Sequence, residues 1–232
     1  KRKKWRIIKD FRQTFFAFKK LRRMVPMKVI AMFLILLYVC VQFVLSQKLS
    51  MISVYYSYYF DCVFVVFIWG LFSRKIKLKT NITITQLPLK IVLFLLSGFV
   101  VHFLAIKLHF LVPFDFTSKS TILFLLVIGP ILEELVFRYA LWDVSSKIFD
   151  HRYFALSFTT ILFSFSHLYA YWSVPNELHS FVIYQAIYVL FLGLALGLLR
   201  KKYSSILLTI IFHGAFNLGF YLVFFSNTIM RI

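Results

Sequence analysis

Seven residues in three short groups have the types and spacing to do chemistry. They are Glu133, Glu134 and Arg138, then Phe163 and His167, then His213 and Asn217, reading Glu-Glu-x-x-x-Arg, Phe-x-x-x-His and His-x-x-x-Asn. Each group lies in a stretch that is otherwise apolar enough to span a bilayer. An ionisable side chain at that depth costs roughly 2.5–3.5 kcal/mol on insertion scales. Two carboxylates, a guanidinium and two imidazoles therefore argue for a buried polar site inside a helical bundle. A carboxylate and an imidazole can hold and deprotonate a water, and two nearby donors can stabilise a developing oxyanion. That is the inventory of a hydrolase acting on a carbonyl.

The spacing assigns faces. Glu134 and Arg138 are four residues apart, share a helix face and can pair as buried ions. Glu133 points about 100° away from Glu134 and is free to face a cavity. A purely structural charge network would account for Glu134 and Arg138 but would leave Glu133 without a partner. Gly129-Pro130 precedes the carboxylates, and a proline removes one helical hydrogen bond. Phe163 and His167 are one turn apart, as are His213 and Asn217, which makes the latter two a converging donor pair. A lone membrane histidine, by contrast, often only struts two helices together. Ser164 and Ser166 flank His167 but point to other faces, so neither stands out as a nucleophile. Glu133, His167 and His213 could bind zinc. The expectation is nevertheless a site without metal or cofactor, because no His-Glu-x-x-His is present and each ligand would come from a different helix.

The elements that must position these residues are helices. The chain has 232 residues, is 61% hydrophobic and has a mean hydropathy of +0.85, which identifies an integral membrane protein. Long apolar runs rather than alternating ones predict helices and exclude a barrel. The fold class is all-α, a polytopic bundle with seven spans at 27–46, 51–72, 89–112, 120–142, 153–172, 179–199 and 203–227. Residues 1–26 are expected to form a basic amphipathic helix in the interface, with Trp5, Ile8, Phe11, Phe15, Phe18 and Leu21 at helical spacing. Residues 27–119 then hold the N-terminal spans, and 120–232 hold a core with the three motifs. Tyr55, Tyr56, Tyr58 and Tyr59 read as an aromatic belt, and Gly193-x-x-x-Gly197 as a close helix contact. Cys40 and Cys62 read as small core residues.

A net charge of +19 could point to nucleic acid, but its placement excludes that reading. Residues 1–28 hold twelve Lys or Arg, and most of the others fall in short gaps between apolar runs. The expected partners are membrane lipids, with anionic headgroups at the basic N-terminus. Alternate loops carry 22 Lys and Arg on one side and 4 on the other, with Arg138 inside a span. The positive-inside rule then places the protein in the cell membrane with its N-terminus cytoplasmic and its C-terminus outside, as seven spans require. These boundaries set Glu133 nearer the cytoplasm than His167, a difference that helix tilt would absorb.

The three motifs, in this order on separate apolar spans, resemble those of the CAAX-protease and bacteriocin-processing family of intramembrane proteases, also called the Abi family. The resemblance covers about 120–220 and is closest in size to bacterial members. It implies that Glu133 is the general base, that His167 binds or orients the water, and that His213 and Asn217 form the oxyanion site. It makes Glu134 and Arg138 a supporting pair, beside Phe163. It also implies a glutamate-dependent endopeptidase acting on a membrane-associated or hydrophobic peptide: a CAAX-type tail, a bacteriocin or a signalling peptide. The alternatives are a catalytically silent regulatory or immunity protein that binds a partner with the same fold, and a transporter using the same buried acids. Intact motifs argue against the first, and the absence of a convincing internal repeat against the second. The charge split makes a direct prediction for topology. Reporter fusions at the two ends should report opposite sides of the membrane, with the N-terminal one cytoplasmic; both on one side would mean that the span count is wrong.

Overall fold

The computed structural model describes residues 26–52, 56–72, 86–149 and 152–229, and no strand occurs among them. The interfacial helix expected at 1–26 lies almost wholly outside the described residues, as does Tyr55. Helix α1 (Met27–Val39) ends in a π-helical turn over Cys40–Val44 and is followed by the short α2 (Ser46–Ser50). Then come α3 (Tyr56–Phe72), α4 (Gln86–Lys107) and the long α5 (Lys119–Ile148). Helix α6 (Arg152–Leu168) runs into a 3-10 turn at Tyr169–Trp172. Helices α7 (His179–Tyr203) and α8 (Ile206–Ile229) close the chain, joined through Ser204 in the left-handed region at φ 52°.

Each of the seven expected spans corresponds to a helix. Five stretches of 18 to 30 residues are long and apolar enough to cross a membrane: Met27–Val44, Gln86–Lys107, Lys119–Ile148, Asn176–Tyr203 and Ile206–Phe224. Helix α3 is apolar but only 17 residues long, and α6 also has 17. Helix α5 runs past the expected 142 to Ile148, and its motif-bearing stretch is not one regular helix. Its α-helical pieces are interrupted by π-helical turns at Phe124–Ile128 and Glu134–Ala140. A π-turn is rare and inserts one residue into the helical register, often at functional sites.

The helices fall into two compact units, 1–75 with 140–155 and 76–139 with 156–232. In the first, Tyr38 of α1 packs against Phe60 and Phe64 of α3, with ring centroids 5.9 and 5.0 Å away. Gln42, on the π-turn of α1, donates to Asp61 Oδ1 at 2.7 Å and accepts from the Ser57 hydroxyl at 3.0 Å. This polar cluster gives Asp61, on an otherwise apolar helix, a hydrogen-bond donor. Both cysteines, expected in the core, are instead exposed on their helices. In an apolar solvent such a position costs a small apolar residue nothing.

The second unit is built on the pairing of α4 with α8. Two glycines permit it. A Cβ on Gly98 would stand 1.9 Å from Phe216 O, and one on Gly219 would stand 1.8 Å from Leu95 O. With backbones this close, Phe94 stacks on Phe212 at 5.1 Å and His102 stacks on Phe220 at 4.1 Å. His102 is buried and its Nδ1 hydrogen-bonds the Phe220 carbonyl oxygen, so this histidine is a strut between helices. The Gly193-x-x-x-Gly197 pair brings α7 against α6, with a Cβ on Gly197 meeting Leu156 at 2.3 Å. Gly98→Ala and Gly219→Ala should each lower thermal stability in detergent, by about 1–3 kcal/mol, the usual cost of overpacking. A melting temperature unchanged in both variants would contradict the close α4–α8 approach.

Candidate active site

Helix α5 places its two carboxylates differently. Glu134 is fully buried and Arg138 is 1% exposed. They pair across one helical turn, Arg138 Nη1 to Glu134 Oε1 at 3.2 Å. Arg138 Nη2 also donates to the Gly193 carbonyl oxygen at 3.2 Å, and its guanidinium carbon lies 4.3 Å from the centre of the Phe163 ring. The guanidinium thus meets a carboxylate, a carbonyl and an aromatic face, which replace part of its hydration, while Arg138 Nη1 and Glu134 Oε2 are left without a hydrogen bond among the described residues. Gly193 has a second reason to lack a side chain, since a Cβ there would sit 3.2 Å from Arg138 Nη2. The expected helix contact is also part of the arginine's cradle.

Glu134 holds a second partner. His213 Nδ1 lies 3.0 Å from the same Oε1, and Thr209, buried one turn before His213, lies beside that carboxylate. An ionised Glu134 paired to Arg138 can only accept, so His213 Nδ1 carries a proton and donates it. That leaves His213 Nε2, which faces Glu133 Oε2 at 3.6 Å. The Glu133 side chain is 34% exposed, against 4% for His213. The four side chains form one line: Arg138, Glu134, His213, Glu133. At 3.6 Å this is an approach longer than a hydrogen bond.

The resemblance implies one water shared by Glu133 and His167, with His213 and Asn217 as the donor pair. Among the described residues Glu133 instead approaches His213, and His167 makes no hydrogen bond to Glu133. His167 Nδ1 donates to Phe163 O, one turn back, at 2.9 Å, which leaves its Nε2 with the lone pair. The Asn217 amide donates to Leu125 O at 2.7 Å. Phe163 joins the pieces. It is fully buried, with its ring edge-on to His167 at 4.9 Å and to His213 at 6.0 Å. Ser164 and Ser166 donate to the carbonyls of Ala186 and Phe163, outside the line. No group of three His, Cys, Asp or Glu that could hold a metal ion occurs among the described residues, so Glu133, His167 and His213 are not gathered as one ligand set.

Sequence reasoning missed two contributors. Thr209 was invisible because one threonine in an apolar helix carries no signal, although it shares a face with His213. Arg200, read only as a loop charge, donates from Nε to the Arg138 carbonyl at 3.2 Å, where the π-helical turn loosens the regular bonding. The ion pair has a measurable consequence. Arg138→Leu should destabilise the protein in detergent by about 3–5 kcal/mol, because it strands the Glu134 charge in the interior. The double variant Glu134→Leu/Arg138→Leu should lose less than Arg138→Leu alone. Equal or greater loss in the double variant would show that the two side chains are not energetically paired.

The geometry can be set beside known proteins. Residues 116–219 match the family model described as type II CAAX prenyl endopeptidase Rce1-like. No curated protein and no solved structure matches the chain. The matched segment begins just before α5 and ends within α8, so it contains all three motifs and every member of the polar line. The chain therefore carries an Rce1-like domain at 116–219, consistent with the CAAX-protease and bacteriocin-processing family.

Proposed function

We propose that the protein is an intramembrane endopeptidase that uses Glu133 as general base on a water, without a metal, and cleaves a hydrophobic or membrane-anchored peptide such as a CAAX-type tail. The Rce1-like match supports a CAAX-type intramembrane protease in general. The observation that carries the finer reading is the Glu133–His213 approach at 3.6 Å, with Glu134 and Arg138 behind it. Glu133 is the one carboxylate of the pair with an exposed surface. Glu134 is committed to Arg138 and His213, so it orients the imidazole.

The steps follow from these roles. Glu133 takes a proton from a water held against it, with His167 Nε2 as a further acceptor for that water. The resulting hydroxide attacks the peptide carbonyl carbon and the carbonyl π bond opens to an oxyanion. His213, protonated at Nε2 and backed by the Glu134 charge, donates to that oxyanion. The Asn217 amide has a second N–H beyond the one given to Leu125 O and can add to the same stabilisation. Collapse of the intermediate breaks the C–N bond as Glu133 returns its proton to the leaving nitrogen, giving a carboxylic acid and an amine. In the same reading the multi-pass fold sits in the cell membrane with its basic N-terminus against anionic headgroups, and nucleic acid has no part in it.

Glu133→Gln keeps the shape of the side chain and removes the base. Purified wild-type protein should cleave a prenylated or otherwise membrane-anchored peptide in detergent or vesicles, with and without a strong chelator. Glu133→Gln should lose cleavage while keeping its melting temperature, since Glu133 is not the partner of Arg138. Cleavage surviving in Glu133→Gln would overturn the assignment of the base. Loss of wild-type cleavage in chelator, restored by zinc, would make Glu133 and the histidines metal ligands.

A further inference from the structure

Helix α5 changes register just before its carboxylates. In a regular α-helix the Leu125 carbonyl would accept from the N–H of Gly129, four residues on. Here the Gly129 N–H bonds to Phe124 O instead, five residues back, closing the π-turn over Phe124–Ile128. In that wider register the next donor owed to Leu125 O is the N–H of residue 130. Residue 130 is proline and has none. A carbonyl left open in the apolar interior costs several kcal/mol unless another group satisfies it. The group that does so is the Asn217 amide of α8, with Nδ2 2.7 Å from Leu125 O.

Both ends of this contact bear on the site. Pro130 is buried in the short α-helical piece Gly129–Glu133, which ends on Glu133 itself. Asn217 lies one turn beyond His213, whose ring meets Glu133 at 3.6 Å. Helix α8 thus grips the same stretch of α5 at two points one turn apart, at the carbonyl vacated by Pro130 and at the catalytic carboxylate. Between them a Cβ on Gly214 would stand 3.4 Å from Leu126 O, so the two backbones run in close register there.

We infer that Asn217 is a positioning residue: its side chain supplies the hydrogen bond that Pro130 cannot make, and it thereby sets the register of Gly129–Glu133 against His213. The inference stands on backbone bonding and needs no substrate. Its catalytic consequence rests on the reading of Glu133 as the base.

The test is a rescue. Pro130→Ala restores a backbone N–H that can donate to Leu125 O in the π register. Asn217→Leu keeps the bulk and removes the donor. Melting temperatures of the wild type, Pro130→Ala, Asn217→Leu and the double variant should be measured in one detergent. Asn217→Leu should melt well below wild type, and at least half of that loss should vanish when the same change is made in the Pro130→Ala background. If Asn217→Leu does not fold alone, recovery of folding in the double variant is the same result in stronger form. Strictly additive losses, or failure of both to fold, would overturn the inference. Where a cleavable peptide is in hand, Asn217→Leu should lower kcat by about 100-fold, the scale of an ångström-level misplacement, with KM little changed. Pro130→Ala should return at least tenfold of it. A backbone N–H at residue 130 cannot replace an oxyanion donor on α8, so lost turnover without recovery, beside recovered stability, would place the whole effect of Asn217 on turnover at the oxyanion and overturn its role in positioning Glu133. A wild type that cleaves nothing would count against the proposed chemistry and would leave the stability result in force.

Discussion

A guanidinium and a carboxylate with no water around them have to be solvated by the protein, and the site follows from how this is done. Arg138 is met by Glu134, by the Gly193 carbonyl and by the face of Phe163. Each contact recruits a different helix: α5 holds the pair, α7 supplies the carbonyl and α6 the ring. Glu134 Oε1 then reaches α8 through His213. One buried charge pair thus ties four helices together, and its two remaining neighbours, Phe163 and His213, are site residues. Polar groups in an apolar solvent seek partners inside the bundle, so this pair gathers its neighbours from several helices.

That constraint explains the split between two adjacent glutamates. Successive helical positions point about 100° apart, so only one of Glu133 and Glu134 can face Arg138. Glu134 takes that position and is committed to the ion pair. Glu133 is partly exposed and turned toward the second nitrogen of the same imidazole. His213 is held from behind by the Glu134 carboxylate, the logic by which a paired acid fixes an imidazole tautomer elsewhere.

Departures from regular helix geometry are the second theme. One π-turn of α5 precedes the carboxylates and the other begins at Glu134, and side chains from other helices donate to backbone carbonyls there: Asn217 to Leu125, Arg200 to Arg138. A π-turn rotates the following residues relative to those before it, so it re-aims side chains. Close backbone approach complements this. Gly98 and Gly219 bring α4 and α8 into contact, and Gly193 leaves room for the Arg138 guanidinium.

Much of this was legible in the residues. Apolar runs of bilayer length gave all-helical architecture, because backbone groups in lipid must be satisfied within the segment. The i,i+4 spacing of Glu134 and Arg138 gave their pairing, and the one-residue offset gave Glu133 its separate face. The motifs contain every member of the polar line. Tertiary structure alone decided which of those residues touch. Sequence spacing places side chains on a face of one helix, and it carries no information on the rotation or depth of the next. So His213, expected as a donor beside Asn217, is set between two glutamates, and Asn217 faces a carbonyl that a proline three helices earlier in the chain leaves open. Lipid exposes apolar residues without penalty, which is why Cys40 and Cys62 gave no sign of facing outward. Those outcomes depend on how helices pack, and packing is settled by bulk, glycine gaps and the pairing of buried polar groups between segments far apart in the chain.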